Sequence, residues 1–185
     1  MNGKKYIIFC DGGCYQRNAV PTPSYFSYQI WESNKLTQFY NNIKTRPLLK
    51  LEKFYLRSLI PYYHQESVIL TDQLGKLHEI EPNPALFLPP LCSIYGELNV
   101  ETNNIAEYAA IYYSLTALIQ NLPYGREIEL YSDSKLIINQ INGEWKCSKP
   151  HLQNWLTATL SLVDRTKNLK IIHTRRDNIE RILGH

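Results

Sequence analysis

The chain has 185 residues, of which 44% are hydrophobic and 20% are charged, and its formal net charge at pH 7 is +3. This composition excludes a disordered chain, and the length is sufficient for one domain with a proper core. No apolar run reaches about 18 residues, so we expect no membrane-spanning helix and no membrane partner. The small positive charge permits a polyanionic partner without requiring one.

The N-terminus has no long apolar core followed by a small-residue cleavage site, so we expect no signal peptide and a cytoplasmic location. The four cysteines lack the paired Cys-x-x-Cys spacing of a zinc site, which favours reduced thiols. No feature of the sequence indicates an organic cofactor, and the oligomeric state is left open. The cysteines are Cys10, Cys14, Cys92 and Cys147.

The first thirty residues predict two strands. The apolar run Tyr6 to Cys10 predicts a strand that ends at Asp11 and leads into a turn-rich connection. Residues 24–31 alternate in a way that is typical of a second strand. Gly12 and Gly13 after the aspartate have two readings: they permit a tight turn, or they let a phosphate backbone approach closely.

Residues 33–91 carry many cations and aromatic side chains in their first half. We expect a helix after Pro47, and a small hairpin between Ser67 and Ile80 with its turn at residues 72–75. Three interpretations of the segment stay open. It could grip a nucleic acid through cations and stacking rings, pack on the sheet with a solvated basic face, or bind a partner.

A long helix is predicted to begin in the run Thr102-Asn103-Asn104-Ile105-Ala106-Glu107-Tyr108, because apolar residues then recur at helical spacing. Thr102, Asn103 or Asn104 can cap this helix. Glu107 would then fall in its first turn, where a carboxylate can simply complement the helix dipole.

The next strand runs from Ile128 and ends at Asp133. A short helix over residues 134–141 should stop at Asn142-Gly143, since glycine suits the residue after a helix. Lys149-Pro150 should open a further helix whose apolar face lies in the core. Residues 169–173 predict the last strand.

Asp11 and Asp133 each follow a β-prone run, and sites in open α/β sheets form beyond the carboxyl ends of the strands. The two aspartates could therefore lie side by side, with Glu107 entering from the helix. Three converging carboxylates repel one another and call for a cation. An all-oxygen site suits Mg²⁺ or Mn²⁺, and such a site is typical of metal-assisted phosphoryl chemistry.

These motifs closely resemble the ribonuclease H type 1 family. The resemblance rests on Asp11-Gly12-Gly13, on the run from Thr102 to Tyr108, and on Ser132-Asp133-Ser134-Lys135-Leu136, and it covers roughly residues 4–32 and 92–185. The run from Asn142 to Lys146 is similar to the short connection of archaeal and bacterial variants that lack the basic protrusion. The resemblance implies one domain over residues 1–185. Its α/β fold would have a mixed central sheet flanked by helices and an inserted helix/hairpin lobe at residues 33–91.

The resemblance also implies hydrolysis of the RNA strand of RNA/DNA hybrids, with 5′-phosphate and 3′-hydroxyl products. Asp11, Glu107 and Asp133 would be catalytic and would hold two Mg²⁺ or Mn²⁺ ions, one for the attacking water and one for the leaving 3′-oxygen. Matched motif positions imply substrate contacts as well. Gly13 and Asn104 would read the RNA strand, Thr102 and Asn103 would contact the DNA strand, and Lys135, Trp145 and Lys146 are further candidates; Asn104 as a cap and Trp145 as packing are the plain alternatives.

The family's fourth carboxylate falls at Ile182, which cannot bind a metal ion. Asp177 or Glu180 could replace it. Two other functions therefore stay open: a catalytically degenerate ribonuclease H-like module that binds nucleic acid or a protein partner, and a junction or DNA nuclease on the same fold.

Overall fold

The computed structural model describes residues 5–15, 22–45, 68–71, 77–80, 90–122 and 125–183. In these parts of the chain, no helix combines the length and the apolar character that a membrane crossing requires. Seven strands and five helices are described. The strands are β1 Lys5–Cys14, β2 Thr22–Glu32, β3 Val68–Thr71, β4 Leu77–Ile80, β5 Cys92–Glu101, β6 Glu127–Ser132 and β7 Leu169–His173. The helices are α1 Ser33–Thr45, α2 Asn103–Asn121, α3 Lys135–Ile141, α4 Pro150–Arg165 and α5 Arg176–Leu183.

Five strands form a mixed central sheet in the order β5-β2-β1-β6-β7. β2 pairs antiparallel with β1 and β5, while β6 pairs parallel with β1 and β7. Helices cover both faces, so the α/β class with a mixed sheet and flanking helices is confirmed. β3 and β4 form a separate antiparallel hairpin, as the sequence predicted for this region. The predicted turn at residues 72–75 lies outside the described residues.

The first core lies between the sheet and helices α2, α3 and α4. On β1, Tyr6, Ile8 and Cys10 point to this side because alternate residues of a strand share a face. Leu152 and Leu162 of α4 join the cluster, and the predicted apolar face of that helix is core. The Cys10 thiol donates to the hydroxyl of Ser114 at 3.3 Å, which ties the centre of β1 to α2.

A second core lies on the opposite face and joins α1 to α5. Its centre is Trp31, which is completely buried against Phe39 of α1 with 5.0 Å between ring centroids. Leu36 of α1 joins this cluster, and from α5 it receives Ile182, which is also completely buried. The two helices therefore stabilise each other through apolar contacts under the sheet.

Helix α1 was not predicted from the sequence. The structure begins this helix at Ser33, directly after β2. A sequence pattern for this helix is present, because Leu36, Phe39 and Tyr40 have the spacing of one helical face. This face packs against Trp31 in the second core, which explains why the helix forms here. The expected helix after Pro47 lies outside the described residues.

The aspartate at the end of β1 is also placed differently from the prediction. Asp11 was expected after the strand, at the start of a turn, but β1 continues in register through Asp11↔Ser27 and Gly13↔Tyr25 to Cys14. The pairing with β2 supplies backbone hydrogen bonds over this stretch, so the two glycines remain extended. The tight-turn reading of the glycine pair is therefore wrong.

At the start of α2, one of the three predicted caps is confirmed, whereas Glu107 lies further along the helix than predicted. Thr102 is the cap, since its hydroxyl accepts from the backbone N–H of Ile105 at 3.4 Å. Asn104 is consequently inside the helix rather than its cap. Glu107 is the fifth helical residue and lies beyond the first turn, where the helix dipole is weaker.

Placing a carboxylate at the position of the fourth family acid should unfold the second core. Ile182→Asp would bury a charge among Trp31, Phe39 and Ile179, so we expect a loss of about 3–5 kcal/mol in the free energy of unfolding. Guanidinium titration measures this loss. Ile182→Val is the control, with an expected loss of about 1 kcal/mol. Wild-type stability of Ile182→Asp would show that residue 182 faces the carboxylate site after all.

Candidate active site

The register of the sheet places Asp11 beside Asp133. The parallel ladder between β1 and β6 ends at Phe9↔Tyr131, and each aspartate lies two residues further along its strand direction. Because side chains alternate, both aspartates follow the face of Phe9 and Tyr131, which is the face covered by α1 and α5. Two separate strands thus deliver one carboxylate each to the same point.

Glu107 reaches this point because Gly12 has no side chain. A Cβ on Gly12 would lie 2.2 Å from the carbonyl carbon and oxygen of Ala106 and 2.4 Å from the nitrogen of Glu107. Strand and helix therefore touch backbone to backbone, and the Gly12 N–H donates to the Glu107 carboxylate. In this structure the close approach that Gly12 permits is to helix α2.

The three carboxylates form one compact group. One oxygen each from Asp11, Glu107 and Asp133 lies within 4.8 Å of the other two. Mg²⁺ binds oxygens at about 2.1 Å, so two oxygens around one ion are at most about 4.2 Å apart, and this group can share an ion once its side chains move closer together. The convergence that the sequence predicted is what the structure shows, whereas the catalytic role of these residues stays a prediction.

Burial makes the negative charges of the group costly. Asp11 is 2% exposed and Glu107 6%. Desolvation, followed by the charges of Asp11 and Asp133, raises the pKa of Glu107 well above its ordinary value, against the Gly12 hydrogen bond and Arg176, which lower it. Desolvation and Asp11 also raise the pKa of Asp133, while Arg176 and His173 lower it.

The chemistry of this donor set fits a hard divalent cation. The buried atoms Glu107 Oε2 and Asp133 Oδ1 have no hydrogen-bond partner among the described residues. A buried carboxylate oxygen in that state costs free energy unless a cation or a donor reaches it. All-oxygen ligands select Mg²⁺ or Mn²⁺ over softer metals, so the residues present suit those ions.

A tyrosine that sequence reasoning missed borders the group on the β2 side. The Tyr25 hydroxyl donates to Asp11 Oδ2 at 3.3 Å. Its ring lies over Gly13, where a Cβ would be 2.8 Å from the Tyr25 oxygen, and it stacks on Tyr95 at 5.4 Å. The alternation in β2 was a signal for the direction of the Tyr25 side chain. Its hydrogen bond to Asp11 could not be predicted, because it depends on β1 continuing past Asp11 so that Gly13 pairs with Tyr25.

On the α5 side, the three carboxylates lie beside the guanidinium of Arg176, which the sequence analysis also missed. Arg176 Nη1 lies 3.6 Å from Asp133 Oδ2, and Arg176 Nε donates to Glu180 Oε1 at 2.7 Å. The three-carboxylate group does not include Asp177 or Glu180, both of which are exposed on α5. No sequence signal distinguished Arg176 from its neighbours.

The predicted substrate-contact residues differ in their exposure to solvent. Thr102 and Asn103 are exposed at the start of α2, and Asn104 is half-buried beside them. Gly13 is buried under Tyr25. The remaining three are exposed: Lys135 Nζ is 6.0 Å from the ring centroid of Trp145, which is 45% exposed, and Lys146 is exposed as well. The plain reading of Trp145 as a packing residue does not agree with this exposure.

Comparison with known proteins finds one matching family model and one relative that matches over part of its length. A family model described as reverse transcriptase-like matches residues 91–181. The uncharacterized protein YpeP of Bacillus subtilis is 32% identical over 94 residues, which are 46% of this chain and 42% of YpeP. The match thus spans less than half of that relative's length.

Solved structures share the fold at low sequence identity. RNase H1 of Halobacterium salinarum aligns with a TM-score of 0.59 at 18% identity, over 96% of this chain and 90% of that one. The N-terminal RNase H domain of a Mycobacterium tuberculosis protein aligns with a TM-score of 0.61 at 16% identity, over 98% and 91%. LC11-RNase H1, solved with an RNA/DNA hybrid, aligns with a TM-score of 0.57 at 20% identity, over 95% and 89%.

The chain therefore has the ribonuclease H-like fold of these structures. This is the fold that the resemblance to ribonuclease H type 1 implied.

A methyl group at position 12 should destabilise the protein, because β1 and α2 are in backbone contact there. Gly12→Ala would press a Cβ into the backbone at Ala106, so we expect a loss of about 2–3 kcal/mol in the free energy of unfolding. Gly13→Ala is the matched control, because the three atoms nearest to its Cβ belong to the side chain of Tyr25, which can move, and not to backbone. Urea titration of both variants measures the difference. Equal losses would contradict the backbone contact.

Neutralising Glu107 should stabilise the protein when divalent ions are removed. A carboxyl group with a raised pKa in the folded state binds more protons than in the unfolded state, so stability falls as pH rises above the unfolded value. In EDTA at pH 7.5, Glu107→Gln should therefore unfold at a higher temperature than wild type. The difference between the two unfolding temperatures should become smaller toward pH 5, and thermal unfolding followed by circular dichroism measures this difference. A difference that grows on acidification would contradict this account.

Proposed function

We propose that the chain cleaves the RNA strand of RNA/DNA hybrids by divalent-ion-assisted hydrolysis, leaving 5′-phosphate and 3′-hydroxyl ends. The observation that carries this proposal is the convergence of Asp11, Glu107 and Asp133 within 4.8 Å on a ribonuclease H-like fold. The hybrid as substrate is supported by the structural likeness to LC11-RNase H1, which was solved with such a hybrid.

The mechanism assigns each carboxylate a task. Two bound Mg²⁺ or Mn²⁺ ions would supply Lewis-acid polarisation of the phosphate and of the attacking water. Asp11 and Asp133 would hold the ions from the sheet, and Glu107 would hold them from α2. The Tyr25 hydroxyl orients Asp11 through Oδ2, and Gly12 orients Glu107 through its N–H. Water attacks phosphorus in line as the bond to the 3′-oxygen breaks.

Selection of RNA would come from 2′-hydroxyl contacts in the shallow minor groove. Asn104 and Gly13 are proposed to read the RNA strand, with Thr102 and Asn103 on the DNA strand. Lys135, Trp145 and Lys146 are proposed to contact the duplex further along, and the exposure of all three, with Lys135 Nζ 6.0 Å from the Trp145 ring centroid, supports that role. We also propose that residues 1–185 form a single domain in which residues 33–91 are an insertion.

A second candidate function is a degenerate ribonuclease H-like module that binds nucleic acid or a protein without cutting. One observation favours it: the position of the fourth family acid is the buried Ile182. A titration with Mn²⁺ by calorimetry and a cleavage gel separate the two functions, because an enzyme binds the ion and cuts while a degenerate module does neither.

The central test is the loss of one ligand. Asp11→Asn should lower the rate of hybrid cleavage by about 100-fold or more, while Asp164→Asn, an exposed aspartate on α4, should cleave like wild type. Wild type should prefer Mn²⁺ or high Mg²⁺, because only three carboxylates hold the ion. Cleavage gels with a labelled RNA strand measure both effects.

Two outcomes would count against the proposal. Wild-type rates in Asp11→Asn would exclude the carboxylate mechanism. Faster cleavage of double-stranded RNA or DNA than of the hybrid would indicate another nuclease on the same fold.

A further inference from the structure

We propose that Tyr15, Tyr95 and Glu97 form a ribose subsite next to the three carboxylates, in which Glu97 accepts a hydrogen bond from a 2′-hydroxyl of the RNA strand. Such a subsite rests on the proposed function and deepens it, because its residues tell ribose from deoxyribose. Neither Tyr95 nor Glu97 belongs to the motifs that carry the resemblance to ribonuclease H type 1.

The register of the sheet places the subsite on the same face as Asp11. Residues that pair across neighbouring strands point to the same face. Two such rows cross β1, β2 and β5, namely Asp11–Ser27–Tyr95 and Gly13–Tyr25–Glu97. Tyr95 and Glu97 therefore lie two strands away from the carboxylate end of β1, on the face that carries Asp11.

Tyr25 connects the subsite to the carboxylates. Its hydroxyl donates to Asp11 Oδ2 at 3.3 Å, and its ring stacks on Tyr95 with 5.4 Å between centroids and 14° between ring planes. The ring of Tyr15 packs against the same side chain, with 5.7 Å between centroids. Only the width of one ring thus separates Tyr95 from Asp11, so a sugar at the subsite belongs to a nucleotide close to the scissile phosphate.

The chemistry of the subsite suits a sugar hydroxyl better than a phosphate. Tyr15 is 52% exposed, and Glu97 is exposed beside it. The two tyrosine hydroxyls lie 2.6 Å apart, and that of Tyr15 donates to Glu97 Oε1 at 3.4 Å, which orients the carboxylate. The charge of Glu97 repels phosphate, while aromatic rings offer apolar surface to sugar carbons. A carboxylate only accepts hydrogen bonds, and a 2′-hydroxyl donates one that deoxyribose lacks.

Hybrids with one altered ribose at a time test the contact. A 2′-fluorine has no hydrogen to donate, so wild type should cleave about 10-fold more slowly when it replaces the 2′-hydroxyl at one position near the cut. Glu97→Ala should cleave the unaltered hybrid about 10-fold more slowly and lose nothing further at that position, while other positions affect both proteins equally. Tyr15→Phe should lose only about 2- to 3-fold, because the ring stays. Asp164→Ala, at an exposed position of α4, is the control and should behave like wild type.

Binding without cleavage separates the subsite from the proposed function. Fluorescence anisotropy in EDTA compares the affinity for a labelled hybrid with that for a DNA duplex of the same sequence. If wild type cuts the hybrid but Glu97→Ala matches Asp164→Ala at every altered ribose, the ribose subsite is overturned while the proposed function stands. If wild type does not cut, the proposed function fails. A preference for the hybrid that disappears in Glu97→Ala would then still support the subsite, whereas an unchanged preference or no binding would overturn it.

Discussion

The contact between the backbones of β1 and α2 at Gly12 is the constraint on which the site depends. It lets a helix on one face of the sheet deliver Glu107 to aspartates that face the other side. Desolvation and mutual repulsion of the carboxylates oppose folding, as the raised pKa of Glu107 shows. The two apolar cores must offset that cost, and a bound cation would remove part of it.

The second core links the insertion region to the site. α1 comes from the segment between β2 and β5, yet Leu36 and Phe39 pack in the same cluster as Ile182 of α5. The rotation of α5, and therefore the position of Arg176, depends on that packing. A segment that the family resemblance leaves unexplained thus helps to determine what stands beside Asp133.

Motifs predicted the site better than they predicted its surroundings. The convergence of Asp11, Glu107 and Asp133 followed from strand ends and helical spacing, since both are local patterns with a fixed geometric outcome. The extension of β1 through Gly13 did not follow, because tertiary packing decides whether a glycine pair turns or stays extended. The role of Ile182 as core, and the contact of Arg176 with Asp133, depend on the rotation of α5. That rotation is decided by Trp31 and Phe39, which are distant in sequence, so no local pattern reveals it.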